Sequence, residues 1–307
     1  MKNTRKLTLS IGIPAYNEES NIEYLLKRSL AQKLGSNIML KEIIVVSDGS
    51  TDDTARIVKK FKDKRIILIL NESREGQSAS QNKILKQFQG DFLILLEADT
   101  LPADNNFISH LIAPFLRANS HTIGLSLGDS IPLPARGFFE HIMYFKQDLK
   151  RRIYQRSTST NNYHLVSGQR GRAISRALAT KLHWTDDIPE DRYSMLAAGK
   201  LGFKTVYASA AKIYFRLPGT LSDYYRQYLK YYTGRVSTNK YFSNGETKIR
   251  FSILHAISET IKAFLRNPVL MSAYVLCLMT VQIAVTHRRR FSPFLKVYPT
   301  TKNLIFT

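Results

Sequence analysis

Two carboxylates follow a short apolar run at a spacing that suits cation binding. Glu97 and Asp99 come directly after FLILL, in the segment EADT. Side chains alternate along an extended chain, so residues two apart point to the same side. Such a pair can hold a hard divalent cation and leave room for two phosphate oxygens. A cation such as Mg²⁺ or Mn²⁺ held there would neutralise the charge of a diphosphate leaving group, but an acidic pair of this spacing is also common by chance.

The elements around this pair alternate between β-rich runs and helix-like stretches. We expect strands near Leu7 to Ile13, Glu42 to Ser47, Ile66 to Leu70 and Phe92 to Leu96, with helical patterns between them. This alternation predicts an α/β fold with a mostly parallel sheet flanked by helices. Ligands of such sheets bind beyond the carboxyl ends of the strands. The polar segments PAYNEES, DGSTDD and EADT stand at these ends.

Later segments extend this unit and then change in character. Residues from about Gly168 to Phe215 contain further helical and β-like patterns, which we expect to close the same domain. An aromatic-rich helix, LSDYYRQYLKYYTG, follows Pro218. After it come an amphipathic stretch and the uncharged run Val269 to Thr286, with HRRR behind it. Its length is at the lower limit of a membrane span, and a buried core helix is the alternative.

Charge and cysteine content narrow the class of protein. The chain has 307 residues and a formal charge of +21, which calls for a polyanionic neighbour such as a nucleic acid, an anionic membrane or a phosphorylated substrate. Its single cysteine allows neither an internal disulfide nor a cysteine-based metal site. Polar residues follow the first apolar stretch at once, so we expect a buried first strand there and no cleaved signal peptide.

The segments PAYNEES, VVSDGSTDDT, EADT, PEDR and QYLKY, in this order, resemble the inverting family 2 glycosyltransferases, which have a GT-A fold. The resemblance covers about Leu7 to Gly234. It implies transfer of a sugar from a nucleotide-diphosphate sugar, commonly a UDP-sugar, with inversion at the sugar carbon. It also assigns Glu97 and Asp99 to the metal and diphosphate, although Glu97 stands where many relatives have Asp.

Further site residues follow from the same resemblance. The later acidic pair maps to Glu190 and Asp191, and Asp191 would be the general base. From the residues alone, both could simply favour the start of the helix after Pro189. The nucleotide sugar would contact residues of the loop after the first strand and the strand-exit carboxylates. These residues are Pro14, Ala15, Tyr16, Glu18, Asp48 and Asp99.

A third group of residues matches the Gln-x-x-Arg-Trp motif of membrane-bound members. Gln227, Lys230 and Tyr231 occupy the corresponding places, and at this spacing they share one helix face. That face could address a diphosphate or a glycan. Arg74 and Lys83 are nearby cations that could help hold phosphate, with a solvated surface charge as the favoured alternative for each. In the loop HLVSGQRGRAISR, Gly168 and Gln169 could allow close approach of the acceptor, and the arginines could instead face lipid phosphates.

Other functions are less compatible with these residues. A dinucleotide oxidoreductase or a sugar-nucleotide synthase would need a glycine-rich loop after the first strand, and PAYNEE does not supply one. A nucleic-acid-binding protein would explain the charge, but carboxylates at the strand ends would repel a nucleic-acid backbone. We therefore expect no nucleic-acid partner. A catalytically silent membrane scaffold with the same fold is a further alternative.

Together these observations predict three parts. Residues 1–217 would form a GT-A catalytic domain, residues 218–248 an interface helix region with QYLKY, and residues 249–307 a membrane-associated segment. The expected acceptor is a glycan or a lipid-linked molecule, with polyprenyl phosphate as an alternative. We expect the protein at the cytoplasmic face of the cell membrane, held against the anionic surface by interfacial helices or a hairpin hinged near Pro268.

Overall fold

The computed structural model describes residues 6–117, 120–155, 170–186, 188–243, 252–286 and 299–304. In these residues eight strands form one sheet in the order β3-β2-β1-β4-β7-β6-β8-β5. The predicted fold class, α/β with helices on both sides of the sheet and an apolar C-terminal helix, is confirmed. Gly168, Gln169 and residues 287–290 lie outside the described residues.

The first half of the sheet is parallel. Strand β1 (Leu7–Ala15) lies between β2 (Ile38–Asp48) and β4 (Phe92–Leu96), and β2 also pairs with β3 (Ile66–Asn71). All four predicted strands are present at or within a few residues of their expected bounds. Their carboxyl ends therefore meet at one edge of the sheet, as expected for parallel strands joined by helices.

The second half of the sheet is mixed. Strand β7 (Gly171–Ser175) runs antiparallel to both β4 and β6 (Ile123–Pro132). Strand β8 (Lys204–Phe215) is parallel to β6, and the short β5 (Thr100–Pro102) pairs antiparallel with β8. The segment around β7 and β8 thus belongs to the same sheet as β1 to β4, which agrees with its predicted role.

Helices cover both faces of the sheet because their apolar residues recur at helical spacing. In α1, for example, Ile22, Leu25, Leu26 and Ser29 are buried. One buried cluster lies on the side of α1 and α4, and a second lies on the side of α3, α6 and α7. These helices are α1 (Ile22–Leu30), α2 (Thr54–Lys59), α3 (Gln77–Gln87), α4 (Phe107–Ile112), α6 (Arg176–Ala179) and α7 (Glu190–Lys200).

A third cluster joins the C-terminal helices to the sheet. It is built mainly by α5 (Phe138–Gln155), α8 (Leu221–Thr238) and α10 (Pro268–Thr286), which contribute the buried residues Met143, Tyr224 and Val281 among others. Only Asn267 separates helix α9 (Ile253–Arg266) from α10, which begins at Pro268, so the chain turns at these two residues. The apolar helix α10 is therefore packed onto α5 and α8 along one side.

Candidate active site

The carboxyl ends of β1, β2 and β4 open onto a cavity of about 210 Å³. Residues predicted from three distant parts of the sequence meet there, including both carboxylates of the acidic pair and the helix face of QYLKY. The predicted residues that line the cavity are Pro14, Ala15, Tyr16, Glu18, Asp48, Glu97, Asp99, Gln227, Lys230 and Tyr231. Topology explains the convergence, because parallel strands bring their exit loops to one edge.

The loop after β1, called the donor loop here (Tyr16 to Glu18), has a tightly determined backbone. Asn17 has φ of 52°, an uncommon conformation for a residue with a side chain. Its backbone nitrogen donates to Ser50 Oγ at 3.1 Å. Its side-chain Oδ1 accepts from the backbone nitrogen of Thr51 at 2.8 Å. The Glu18 amide donates to Thr54 Oγ1 at 2.7 Å. The loops after β1 and β2 therefore brace each other.

Asp48 organises the loop that follows β3. Its carboxylate accepts hydrogen bonds from Asn71 Nδ2 and from the backbone amides of Glu75 and Gly76, each at 2.8 Å. Its neighbour Gly49 has φ of +64°, and a Cβ there would lie 2.5 Å from the Arg74 amide nitrogen, so only glycine fits. Asp48 thus both lines the cavity and holds the adjoining loop in place.

The same loop brings one of the two predicted cations to the cavity. The guanidinium of Arg74 lies 4.2 Å from the centre of the Tyr16 ring, and both residues line the cavity. Lys83 is directed elsewhere, since its ammonium donates to Asn71 Oδ1 and Glu75 Oε1 at 2.7 Å each. Arg74 is therefore the cation of this pair that can reach a ligand.

The acidic pair is accompanied by an arginine that the sequence did not single out. Arg170 Nε lies 3.6 Å from Glu97 Oε2, and its guanidinium lies 3.7 Å from the centre of the Phe215 ring. Burial raises the pKa of Glu97 to about 7; Arg170 opposes this shift and the charge of Asp99 adds to it. An approaching cation would therefore convert Glu97 to its charged form near neutral pH.

Glu190 and Asp191 occupy the first turn of α7, directly after Pro189. Glu190 is buried, and its Oε1 accepts from Lys230 Nζ at 3.3 Å, which ties α7 to α8. Asp191 Oδ1 accepts from the Arg192 amide at 2.7 Å. Burial opposes ionisation of Arg170, yet the charges of Glu97, Asp99 and Asp191 raise its pKa. Asp191 thus influences the same arginine as the acidic pair electrostatically, but neither Glu190 nor Asp191 is among the residues that line the cavity.

Two lysines of α5, which are not among the residues lining the cavity, interact electrostatically with Arg170. Burial lowers the pKa of Lys146 to about 7, and Lys150 and Arg170 contribute to the shift. Burial also lowers the pKa of Lys150, although Asp191 opposes it. Lys146 Nζ lies 4.8 Å from the centre of the Tyr224 ring. Arg172, in β7, is buried, so the alternative of a lipid-facing arginine is wrong for this residue.

Several residues of the cavity were not predicted. Gln77, Ser80 and Ala98 adjoin predicted segments and could have been found by extending them. Thr301 and Lys302 come from the extreme C-terminal part of the described chain, where no local pattern marks a site. The unpredicted residues that line the cavity are Gln77, Ser80, Ala98, Arg170, Arg216, Thr301 and Lys302.

Comparisons with known proteins agree with this geometry. The family model described as Glycosyl transferase family 2 matches residues 10–177. The poly-beta-1,6-N-acetyl-D-glucosamine synthase of Staphylococcus aureus (strain COL) is 27% identical over 259 residues, which are 82% of this chain and 61% of the synthase. This chain thus spans less than two thirds of that relative.

Two further matches cover different extents of the chain. The UDP-Glc:alpha-D-GlcNAc-diphosphoundecaprenol beta-1,3-glucosyltransferase WfaP of Escherichia coli is 40% identical over 91 residues, which are 30% of this chain and 35% of WfaP. Among solved structures, the mannosyltransferase PcManGT of Pyrobaculum calidifontis, in complex with GDP-Man and Mn²⁺, superposes with a TM-score of 0.58 at 16% identity. The superposition covers 93% of this chain and 76% of PcManGT, and it supports the GT-A fold.

Proposed function

Because this chain is a member of glycosyl transferase family 2, we propose that it transfers a sugar with inversion from a UDP-sugar to a glycan or lipid-linked acceptor at a membrane. One observation carries the proposal. The donor loop, Asp48, the acidic pair and the QYLKY face, far apart in sequence, line a single cavity at the carboxyl edge of the parallel strands. Such an edge is where ligands of open α/β sheets bind.

The residues present fit a divalent cation that also has a phosphorylated ligand. Glu97 and Asp99 both line the cavity, and no group of three or more His, Cys, Asp or Glu side chains suitable for a metal occurs in the described part of the chain. Mg²⁺ commonly uses one or two carboxylates together with substrate phosphates. Glu97 and Asp99 would hold Mg²⁺ or Mn²⁺, which would supply charge stabilisation for the leaving diphosphate. The Mn²⁺ of PcManGT is consistent with this choice.

The donor would lie between the donor loop and α8. Tyr16 and Arg74 form a stacked pair that can face a nucleoside, and Arg170 and Lys230 bring fixed positive charge towards the acidic pair. Fixed cations that are in place before reaction are effective at stabilising developing negative charge. UDP is proposed because WfaP, by its name, uses UDP-Glc, whereas the complex of PcManGT contains GDP-Man.

Asp191 is proposed as the general base. The acceptor hydroxyl oxygen forms a bond to the anomeric carbon on the face opposite the diphosphate, while the bond to the diphosphate oxygen breaks and its electron pair leaves with the diphosphate. Asp191 takes the hydroxyl proton. Lys230 holds Glu190 at 3.3 Å, and this contact fixes the start of α7 and therefore the place of Asp191.

The charge on the acceptor side favours an acceptor that carries phosphate. Lys150 and Arg170 disfavour the charged form of Lys146, Arg170 also disfavours that of Lys150, and no ion pair to Lys146 or Lys150 is found among the described residues. An anionic group on the acceptor would relieve their mutual repulsion. WfaP, by its name, acts on a diphosphoundecaprenol-linked sugar, so a lipid-linked glycan is the proposed acceptor and polyprenyl phosphate is the second candidate.

Membrane attachment is proposed through α9 and α10. Helix α10 has 19 residues, about 28 Å at 1.5 Å per residue, and is the one helix of the described chain that is long and apolar enough to span a bilayer. Its Val269, Leu276 and Ile283 are 66%, 67% and 60% exposed, and α9 exposes Leu254 at 80%. An exposed apolar surface of this extent marks a contact with another apolar phase. The turn at Pro268 is compatible with a hairpin that keeps the catalytic domain on the cytoplasmic face.

The test is a screen of nucleotide sugars with the full chain in lipid, with Mn²⁺ and lipid-linked acceptors, reading nucleotide release and product. We expect one UDP-sugar to yield UDP together with a product of inverted configuration. Asp191→Asn should bind UDP with an affinity within about twofold of the wild type and lose about 10² or more in transfer rate. Salt-sensitive RNA binding without turnover of any nucleotide sugar would instead support the nucleic-acid alternative.

A further inference from the structure

The C-terminal tail, defined here as Pro299 to Leu304, lies against the donor loop. It begins with a 3₁₀ turn over Pro299–Thr301 and places Thr301 and Lys302 in the wall of the cavity. Thr301 and Leu304 are 5% and 6% exposed, so the tail is packed against the domain. The tail lies outside the residues matched by the family model, and it follows α10 in the chain.

Lys302 makes the closest contacts with the donor loop. Its ammonium donates to the backbone carbonyl oxygens of Tyr16 and, at 2.6 Å, of Asn17. It also lies 2.7 Å from Glu18 Oε1, and the two side chains are 19% and 8% exposed. An ammonium has three N–H donors, and here each has an acceptor from a successive residue of the loop. Lys302 is therefore committed to the protein and is not free to bind a ligand directly.

These contacts explain how the donor loop keeps an unfavourable backbone. Asn17 has φ of 52°, and the carbonyl oxygens of Tyr16 and Asn17 converge with the Glu18 carboxylate on the Lys302 ammonium. Three acceptors that converge with no donor between them would repel one another and lose hydrogen bonds. Backbone of this kind persists only where the surroundings determine it. Lys302 supplies the positive charge at the point where the acceptors converge.

Other tail residues secure Lys302 to two separate elements. The Thr300 amide and hydroxyl donate to Asp223 Oδ2 in α8, and Thr300 Oγ1 accepts from the Gly219 amide at 2.9 Å. The Leu304 amide donates to Asn21 Oδ1 at 3.2 Å, next to α1. Arg216 Nε donates to the Asn303 carbonyl at 3.0 Å. The tail therefore bridges the donor loop and the helix that carries Gln227, Lys230 and Tyr231.

We propose that the tail is an integral wall of the donor cavity and that Lys302 is a positioning residue that holds Tyr16 to Glu18 in the shape that binds the nucleotide. This inference rests on the proposed function, because it takes the ligand to be the nucleotide of the donor. Donor binding then depends on chain that follows the apolar helix α10. Residues 299–304 thus belong functionally with the catalytic part, although they lie in the segment expected to serve only membrane association.

The test compares UDP binding by the full chain in detergent micelles, with Mn²⁺, for Lys302→Met, Lys302→Arg and the wild type. Lys302→Met keeps the length of the stem but removes every donor, so we expect Kd for UDP to rise at least about 10-fold. With a donor sugar, KM for the donor should rise in parallel while kcat changes less than about threefold. Lys302→Arg keeps charge and donors and should recover part of the affinity. Lys204→Met, which removes one exposed charge at the start of β8, is the matched control and should bind as the wild type does.

Hydrogen exchange gives a readout that does not depend on the ligand. The amides of Asn17 and Glu18 should exchange faster in Lys302→Met, whereas those of β1, β2 and β4 should be unchanged. If Lys302→Met does not fold, Thr300→Val should show the same loop exchange and weaker UDP binding, because it loses the hydroxyl contacts of Thr300 with Asp223 and Gly219 and keeps only the amide contact with Asp223. Unchanged UDP affinity and unchanged exchange of the donor-loop amides in both variants would overturn the inference. Tighter UDP binding would also overturn it, because the tail would then obstruct the cavity. Failure of the wild type to bind UDP would instead reject the proposed function. Hydrogen exchange would still test whether Lys302 holds the backbone of the donor loop.

Discussion

Replacement of Arg170 by Met should change metal binding and nucleotide binding in opposite directions. At the proposed metal site, Arg170 would compete with a metal ion for Glu97, because its Nε lies 3.6 Å from Glu97 Oε2. Above neutral pH, where Glu97 stays charged although loss of Arg170 raises its pKa further, Arg170→Met would free this carboxylate and remove a positive charge that repels the metal. Met also keeps an unbranched side chain over the Phe215 ring, so the packing there is largely preserved.

The distance sets the size of the expected effect. Two unit charges 3.6 Å apart attract by about 5 kcal/mol at an effective dielectric constant of about 20. The side chains of Arg170 and Glu97 are 15% and 27% exposed, so desolvation and screening reduce the net effect to about 1 to 2 kcal/mol. Since about 1.4 kcal/mol corresponds to a factor of ten, Mn²⁺ should bind the free variant about 10-fold more tightly. UDP binding in EDTA should weaken by about the same factor, because a fixed cation is lost from the cavity.

The assay follows free Mn²⁺ by electron paramagnetic resonance without nucleotide, and UDP by calorimetry with EDTA or with saturating Mn²⁺. Arg56→Met is the matched control, because it removes an arginine that pairs with Asp53 and is 59% exposed. Asp99→Asn should weaken Mn²⁺ binding and abolish the metal dependence of UDP binding. If Arg170→Met leaves Mn²⁺ affinity unchanged or lowers it, Arg170 does not compete with metal for Glu97.

Two further predictions concern folding and membrane attachment. Burial lowers the pKa of Lys146 from 10.5 to about 7. Between these two pH values the unfolded chain binds more protons than the folded chain, so the free energy of unfolding rises with pH over this range. Lys146→Met should therefore raise the free energy of unfolding most at pH 7 and below, with the gain narrowing towards pH 10 in denaturant titrations; a gain that does not depend on pH would refute the shift. Leu276→Glu, at a site 67% exposed on α10, should reduce co-flotation with liposomes containing phosphatidylglycerol and leave UDP binding unchanged, and unaltered flotation would assign attachment to the basic surface.

The strands and the acidic residues at their ends follow from local sequence. Apolar runs such as FLILL are stabilised when they are buried away from water. The polar residues after β1, β2 and β4 mark where each strand ends. Parallel topology then brings Glu18, Asp48 and Asp99 to one edge without any further information. For this reason the predicted donor and metal residues line a common cavity. Their chemical roles are proposals, which the variants above would test.

Only the tertiary structure determined the contacts that Lys302 and Arg170 make in the cavity. Nothing local to Lys302 marks it as part of a site, because its partners Tyr16, Asn17 and Glu18 lie at the other end of the chain and contribute two backbone carbonyls, which carry no side-chain signature. The pairing of Arg170 with Glu97 depends on β7 running antiparallel beside β4, and its sequence pattern does not specify that neighbour. Sequence patterns report burial and local geometry, whereas contacts between distant segments arise only when packing of the whole chain selects them.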